Sequence, residues 1–169
     1  MIVEHSTPSP AEERFAVGIV IEKRHVTNPW IDHLWLPVSV LSGAPSADSW
    51  TVLSEDEHGQ RFYAGTFEMS FFSAHTANYL SNLETGAPKI WIAMREAGGA
   101  SPILIAGVTA DPAEGESFTE AGNDIVETVP MPPEIAGRLL RFVSLHHVER
   151  VYFKRRRGEA DVERDESDE

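Results

Sequence analysis

A chain of 169 residues with 41% hydrophobic and 24% charged residues is long enough to bury one contiguous core without disulfides or a structural metal. The absence of cysteine excludes disulfides, thiolate zinc sites, cysteine-ligated iron–sulfur clusters and cysteine nucleophiles. A formal net charge of −13 disfavours general attraction to nucleic acid or anionic lipid, and with no leader-like segment or apolar run of roughly 20 residues the expected setting is the cytoplasm.

Residues 1–13 carry Ser, Thr, Pro and Glu with little to bury, and are expected to be a flexible lead-in to a single domain over residues 14–153. Phe15, Val17, Ile19 and Ile21 alternate with smaller residues, the period-two pattern of a strand with one buried face, which should end near Val26. Thr27-Asn28-Pro29-Trp30 reads as a turn, because Pro29 disfavours helix at the residue before it. Residues 33–41 predict a second strand, and Pro37, with no N–H to donate, marks an edge or a bulge in it. Residues 50–54, 61–66 and 66–72 predict three further short strands, the first two joined through the polar segment 55–59; such short connections favour antiparallel pairing.

Residues 73–84 have helical spacing: Ser73 is placed to cap the start, Ala77, Leu80 and Leu83 recur three or four apart, and Gly86 would close the helix. Residues 89–95 and 103–108 are apolar runs rich in β-formers, joined by the flexible connection 96–102. Asp111-Pro112-Ala113-Glu114 combines a capping acid, proline at the first helical position and an acid two residues later, so a short helix should start there and stop at Gly122. After a short strand over residues 125–129, Pro132 and Pro133 open the clearest helix, with Ile135, Leu139, Leu140 and Val143 as its apolar stripe and Arg138 and Arg141 off it. Residues 154–169 are charged, lack apolar spacing and are expected to be a disordered tail.

Many short strands followed by helices, without strict alternation, indicate the α+β class. The expected architecture is a curved antiparallel sheet or partly open β-barrel of about six or seven strands with two or three helices, plugged by the last helix.

Chemistry-bearing residues are sparse. His146 and His147 lie in the last turn of the final helix, where adjacent side chains point about 100° apart and suit the helix dipole better than a shared metal. Asp111, Glu114, Glu116, Glu120, Asp124 and Glu127 lack the spacing of an EF-hand loop. No nucleophile elbow, phosphate-binding loop or dinucleotide fingerprint is present. The expectation is therefore no catalytic residue, no metal and no cofactor. Asn28, Trp30, His33 and Trp35 are dense enough in rings and polar groups either for a His–Trp pairing in the core or for a small ligand pocket. Lys154, Arg155, Arg156 and Arg157 are the one basic stretch, a docking segment for an acidic partner surface or part of a solubilising tail.

Taken together, Asn28-Pro29-Trp30, His33-x-Trp35-x-Pro37-Val38, Arg61-Phe62-Tyr63-Ala64-Gly65, the segment from Asp124 to Pro132 and His146-His147-Val148-Glu149 with the closing basic run resemble an uncharacterised proteobacterial domain-of-unknown-function family. Its members are often encoded beside genes for molybdenum-dependent formate dehydrogenase and its maturation factors. That resemblance implies a non-enzymatic accessory protein whose partner is the dehydrogenase or a maturation factor, and it supplies no catalytic or cofactor residues. The alternative from the residues themselves is a small-molecule-binding module at Trp30, His33 and Trp35. Neither nucleic acid nor a membrane is an expected partner, whereas a second copy of the chain would fit an exposed edge at the Pro37 strand.

Overall fold

The computed structural model describes residues 11–123 and 125–148, and the period-two segment around Phe15 opens it as β1 (Glu12–His25). There follow β2 (His33–Ser42), β3 (Thr51–Asp56), β4 (Gly59–Phe72), a 3-10 turn (Ser73–His75) and α1 (Thr76–Glu84). Then come β5 (Lys89–Glu96), β6 (Ile103–Thr109), α2 (Pro112–Glu120), β7 (Ile125–Pro130) and α3 (Pro133–His146). The α+β class is as expected. Among the described residues the strands form two antiparallel sheets, ordered β2-β1-β4-β3 and β6-β5-β7, which are not closed into a barrel. Their strands meet where β2 approaches β7 and β4 approaches β6.

β1 lies inside the larger sheet, paired on both sides. Val17, Ile19 and Ile21 are fully buried on one face, as alternation predicts, but Val20 and Glu22 on the other face are buried too. Gly18 explains part of that cover: a Cβ there would stand 2.8 Å from the Tyr63 ring, so the absence of a side chain lets Tyr63 lie across the strand. Pro37 sits in an edge strand beside a bulge, where Val20 pairs with Ser39 and Ile21 with Pro37, leaving Val38 extra. A second bulge lies at the same level on the other side of β1, where Ile19 pairs with Gly65 and Val20 with Tyr63. Residues 61–66 and 66–72, expected as separate strands, are thus one strand bent at a bulge, and Gly65 there takes a φ of +130°.

The β3–β4 hairpin closes at Glu57-His58, where the Asp56 carboxylate accepts from the N–H groups of His58 (2.8 Å) and Gly59 (3.1 Å). α1 differs from expectation. Ser73 opens the 3-10 turn and caps nothing through its side chain, and the buried face is Thr76, Tyr79 and Asn82, with Ala77 exposed and Leu80 and Leu83 only half-buried. The inner face of α1 meets the polar backbone at the ends of β5 and β6, so Asn82 and not an aliphatic residue belongs there.

α2 starts as its sequence dictates: the Asp111 side chain accepts from the N–H of Ala113 (2.9 Å) and of Glu114 (3.5 Å), Pro112 follows the cap and Gly122 leaves the helix at positive φ. α3 buries Ile135, Leu139, Phe142 and Val143, with the Phe142 ring 5.6 Å from Phe71 and 6.3 Å from Tyr79. Leu140, expected in the stripe, is 55% exposed, because Phe142 completes the inward face and one residue beyond Leu139 the helix has turned by about 100°. Arg138 lies over the Phe15 ring at 4.2 Å and donates to Glu13 at 2.6 Å, tying α3 to the start of β1. The boundary expected at Phe153 lies outside the described residues.

Leu139→Ala should cost about 2–5 kcal/mol by leaving a cavity under α3, whereas Leu140→Ala should stay within about 0.5 kcal/mol. Urea denaturation of the two variants would separate them, and equal losses would mean that the inward face of α3 is misassigned.

Candidate functional site

The residues singled out in the β1–β2 connection divide into two groups. Asn28 Oδ1 accepts the Trp30 N–H at 2.9 Å, a local turn that leaves the Trp30 indole 89% exposed. His33 instead turns toward its strand: Nδ1–H donates to Asp32 at 2.6 Å, and the ring meets Trp35 edge-on at 5.9 Å. That hydrogen bond is the main reason the exposed Asp32 carboxyl is held below its usual range. Trp35 is buried in an aromatic cluster with Trp50 (6.0 Å) and Phe62 (5.9 Å), with the Lys23 ammonium 5.7 Å from its ring centre. The structure therefore brings His33 and Trp35 together and sets Asn28 and Trp30 apart from them. Lys154, Arg155, Arg156 and Arg157 lie outside the described residues.

His146 and His147 take different partners: α3 ends at His146, and His147, expected in the same last turn, is its C-cap with extended backbone. The His146 ring packs at a tilt against Phe142 with centroids 4.6 Å apart, and His147 Nδ1 shares a 3.0 Å hydrogen bond with Thr76 Oγ1. Both line a cleft of about 600 Å³ with Ser73, Ala74, Thr76 and Ala77.

The densest chemistry lies elsewhere, where the 3-10 turn before α1 meets the start of α2. His75 ends that turn, Asp111 caps α2 and Glu114 stands in its first helical turn. Their ligand-type atoms all fall within 4.8 Å of one another. His75 Nδ1 is 3.2 Å from Asp111 Oδ2, yet it is buried and makes no hydrogen bond: the approach has the distance of an ion pair without the alignment of a donor and acceptor. Asp111 is 2% exposed. One of its oxygens caps α2, while Oδ2 faces His75 and accepts from Asn78 at 3.3 Å. Glu114 Oε2 accepts the Thr109 hydroxyl at 2.9 Å, and Thr109 Oγ1 in turn accepts the Asp111 N–H at 3.1 Å. Protein donors thus orient each carboxylate, with ring and carboxylates converging on one small volume.

Sequence reasoning treats Asp111 and Glu114 as capping residues and passes over His75, which lies 36 positions before Asp111. No local spacing signals the meeting, because the chain passes through α1, β5 and β6 between them. Tyr79 forms the wall beside them, its hydroxyl accepting the Phe72 N–H at 3.0 Å. Burial pushes its phenol up to about 12, with the Asp111 and Glu114 charges acting in the same direction and the Phe72 N–H opposing.

These features define an α+β protein of two antiparallel sheets with a His–Asp–Glu constellation where α1 and α2 begin. By sequence, the chain belongs to the family described as Protein of unknown function (DUF3305), whose model matches residues 16–157. That membership agrees with the resemblance to an uncharacterised domain family. No curated protein and no solved structure matches the chain. Among the described residues, no helix is long and apolar enough to cross a membrane.

The Tyr79 phenol titrates higher in the folded chain than the value near 10 of an unfolded one. Its contribution to stability is therefore whole below about pH 10 and is lost as pH rises toward about 12. Denaturation at stepped alkaline pH should show that decline, with a shallower one in Tyr79→Phe; identical profiles would place the phenol in solvent.

Proposed function

We propose that the protein is a non-enzymatic cytoplasmic accessory protein that docks on a protein partner. The partner class implied by the family resemblance is a molybdenum-dependent formate dehydrogenase or one of its maturation factors. The observation that supports docking is Trp30: an indole 89% exposed, followed by Ile31 at 44% and Leu34 at 41%. A large aromatic side chain held out on a turn gains nothing for the fold, and tryptophan is among the residues that dominate binding when a partner buries it, commonly by about 2 kcal/mol or more. The Asn28–Trp30 hydrogen bond fixes the turn and reduces the ordering cost of binding. In this reading the basic run Lys154, Arg155, Arg156 and Arg157 adds a salt-sensitive contact to an acidic surface.

Affinity capture of the intact chain from its own organism, followed by mass spectrometry, should recover formate dehydrogenase subunits or maturation factors. Trp30→Ala should lower that recovery at least tenfold with an unchanged melting temperature, and removal of residues 154–169 should weaken the salt dependence. Undiminished capture by Trp30→Ala would remove the indole from the interface. Absence of any dehydrogenase component would overturn the partner assignment.

A further inference from the structure

We propose that His75, Asp111 and Glu114 form a binding site for one divalent transition cation of zinc or manganese type, a property independent of the docking reading above.

The geometry begins with the separation of the donors. Ligands bound at about 2.1 Å to one metal stand about 3.0 Å apart at a right angle and about 3.4 Å apart at the tetrahedral angle. The 3.2 Å between His75 Nδ1 and Asp111 Oδ2 falls between those two values. A simple His–Asp ion pair at that distance would aim an N–H at the carboxylate, whereas this nitrogen is buried and has no hydrogen-bond partner. Two donors that converge at that spacing without bonding each other are arranged for a third atom.

The carboxylates are held in the manner of ligands. Asn78 donates to Asp111 Oδ2, the α2 cap occupies the other Asp111 oxygen, and Thr109 donates to Glu114 Oε2. Such outer donors orient first-contact groups and raise metal affinity. The positive end of α2 opposes a cation here, but it amounts to about half an elementary charge, against two carboxylates of which Asp111 is 2% exposed. The rest of the His75 side chain reaches the surface, 42% exposed, and lines a cleft of about 200 Å³ with Ala11, Glu12, Phe72, Ser73 and Ala74. One imidazole and two carboxylates suit zinc or manganese, and the imidazole separates both from magnesium.

The test is isothermal titration of the tag-free, chelator-treated full chain with Zn(II), Mn(II) and Mg(II), with electron paramagnetic resonance of bound Mn(II). One equivalent of Zn(II) or Mn(II) should bind, tighter than Mg(II), and raise the melting temperature. His75→Ala and Glu114→Gln should each weaken that binding at least tenfold while leaving the metal-free melting temperature in place. Thr109→Val should weaken it less. Two outcomes overturn the site: no Zn(II) or Mn(II) binding up to about 1 mM, or binding that survives both His75→Ala and Glu114→Gln unchanged.

Discussion

The carboxamide of Asn82 sets the arrangement on which the helical side of this molecule depends. It is 3% exposed, and a buried amide left without partners costs about 1–3 kcal/mol for each unmet group. Here Nδ2 donates to the carbonyls of Lys89 (2.8 Å) and Ala110 (2.9 Å), while Oδ1 accepts the Lys89 N–H (3.0 Å). Those three bonds join α1 to the first residue of β5 and to the residue that follows β6. Because Asp111 is next to Ala110, and His75 immediately precedes α1, the same bonds set the approach of His75 to Asp111. The constellation between the helix starts is thus a consequence of one satisfied polar group in the core.

The strand side obeys a different constraint, the crowding around β1. Over residues 18–22 it is buried on both faces and paired on both edges, and both partners accommodate it with an extra residue near Ile19, Val20 and Ile21. Bulges increase local twist and bend the strand that carries them, so two at one level concentrate the curvature of the sheet there. Pro37 can sit beside one of them because β2 is an edge strand. Glu22, buried to 6% exposure, is compatible with that crowding because Arg24 approaches it at 2.9 Å and Arg61 at 3.9 Å.

What was legible in the sequence follows from the range of each signal. The start of α2 is legible because a capping aspartate, the proline after it and the two amides that donate to the aspartate lie within four consecutive residues. The strand around Val17 is legible because Phe15, Val17, Ile19 and Ile21 keep period two, and the one around Val40 through its density of aliphatic and aromatic residues, since the bulge at Val38 breaks its alternation. The inner face of α1 is not, because hydrophobic spacing at Ala77, Leu80 and Leu83 ranks aliphatic residues above the asparagine whose partners lie on β5 and after β6. Leu140 misleads for a related reason: any leucine beside Leu139 scores as stripe, and only the packing of Phe142 on Phe71 decides which one turns inward. The His75–Asp111 approach has no signature along the chain at all, since it exists only once α1 is docked.

Where the chemistry falls along β1 bears on how the two proposed properties relate. The start of β1 pairs with the end of β4, and the 3-10 turn carrying His75 follows directly, with Ser73 N–H donating to the Ala11 carbonyl at 2.9 Å. The far end of β1 leads into the connection that carries Trp30. A strand of 14 residues spans about 45 Å at the usual rise per residue, and the bends at its bulges shorten that only in part. The exposed indole and the His–Asp–Glu group therefore occupy opposite ends of one central strand. A partner clasping Trp30 has no steric reason to cover His75, and a cation held by His75, Asp111 and Glu114 has none to disturb the Asn28 turn. Coupling between them would have to pass through β1 itself, which over residues 18–22 is buried on both faces and paired on both edges and so has little freedom to adopt a second arrangement.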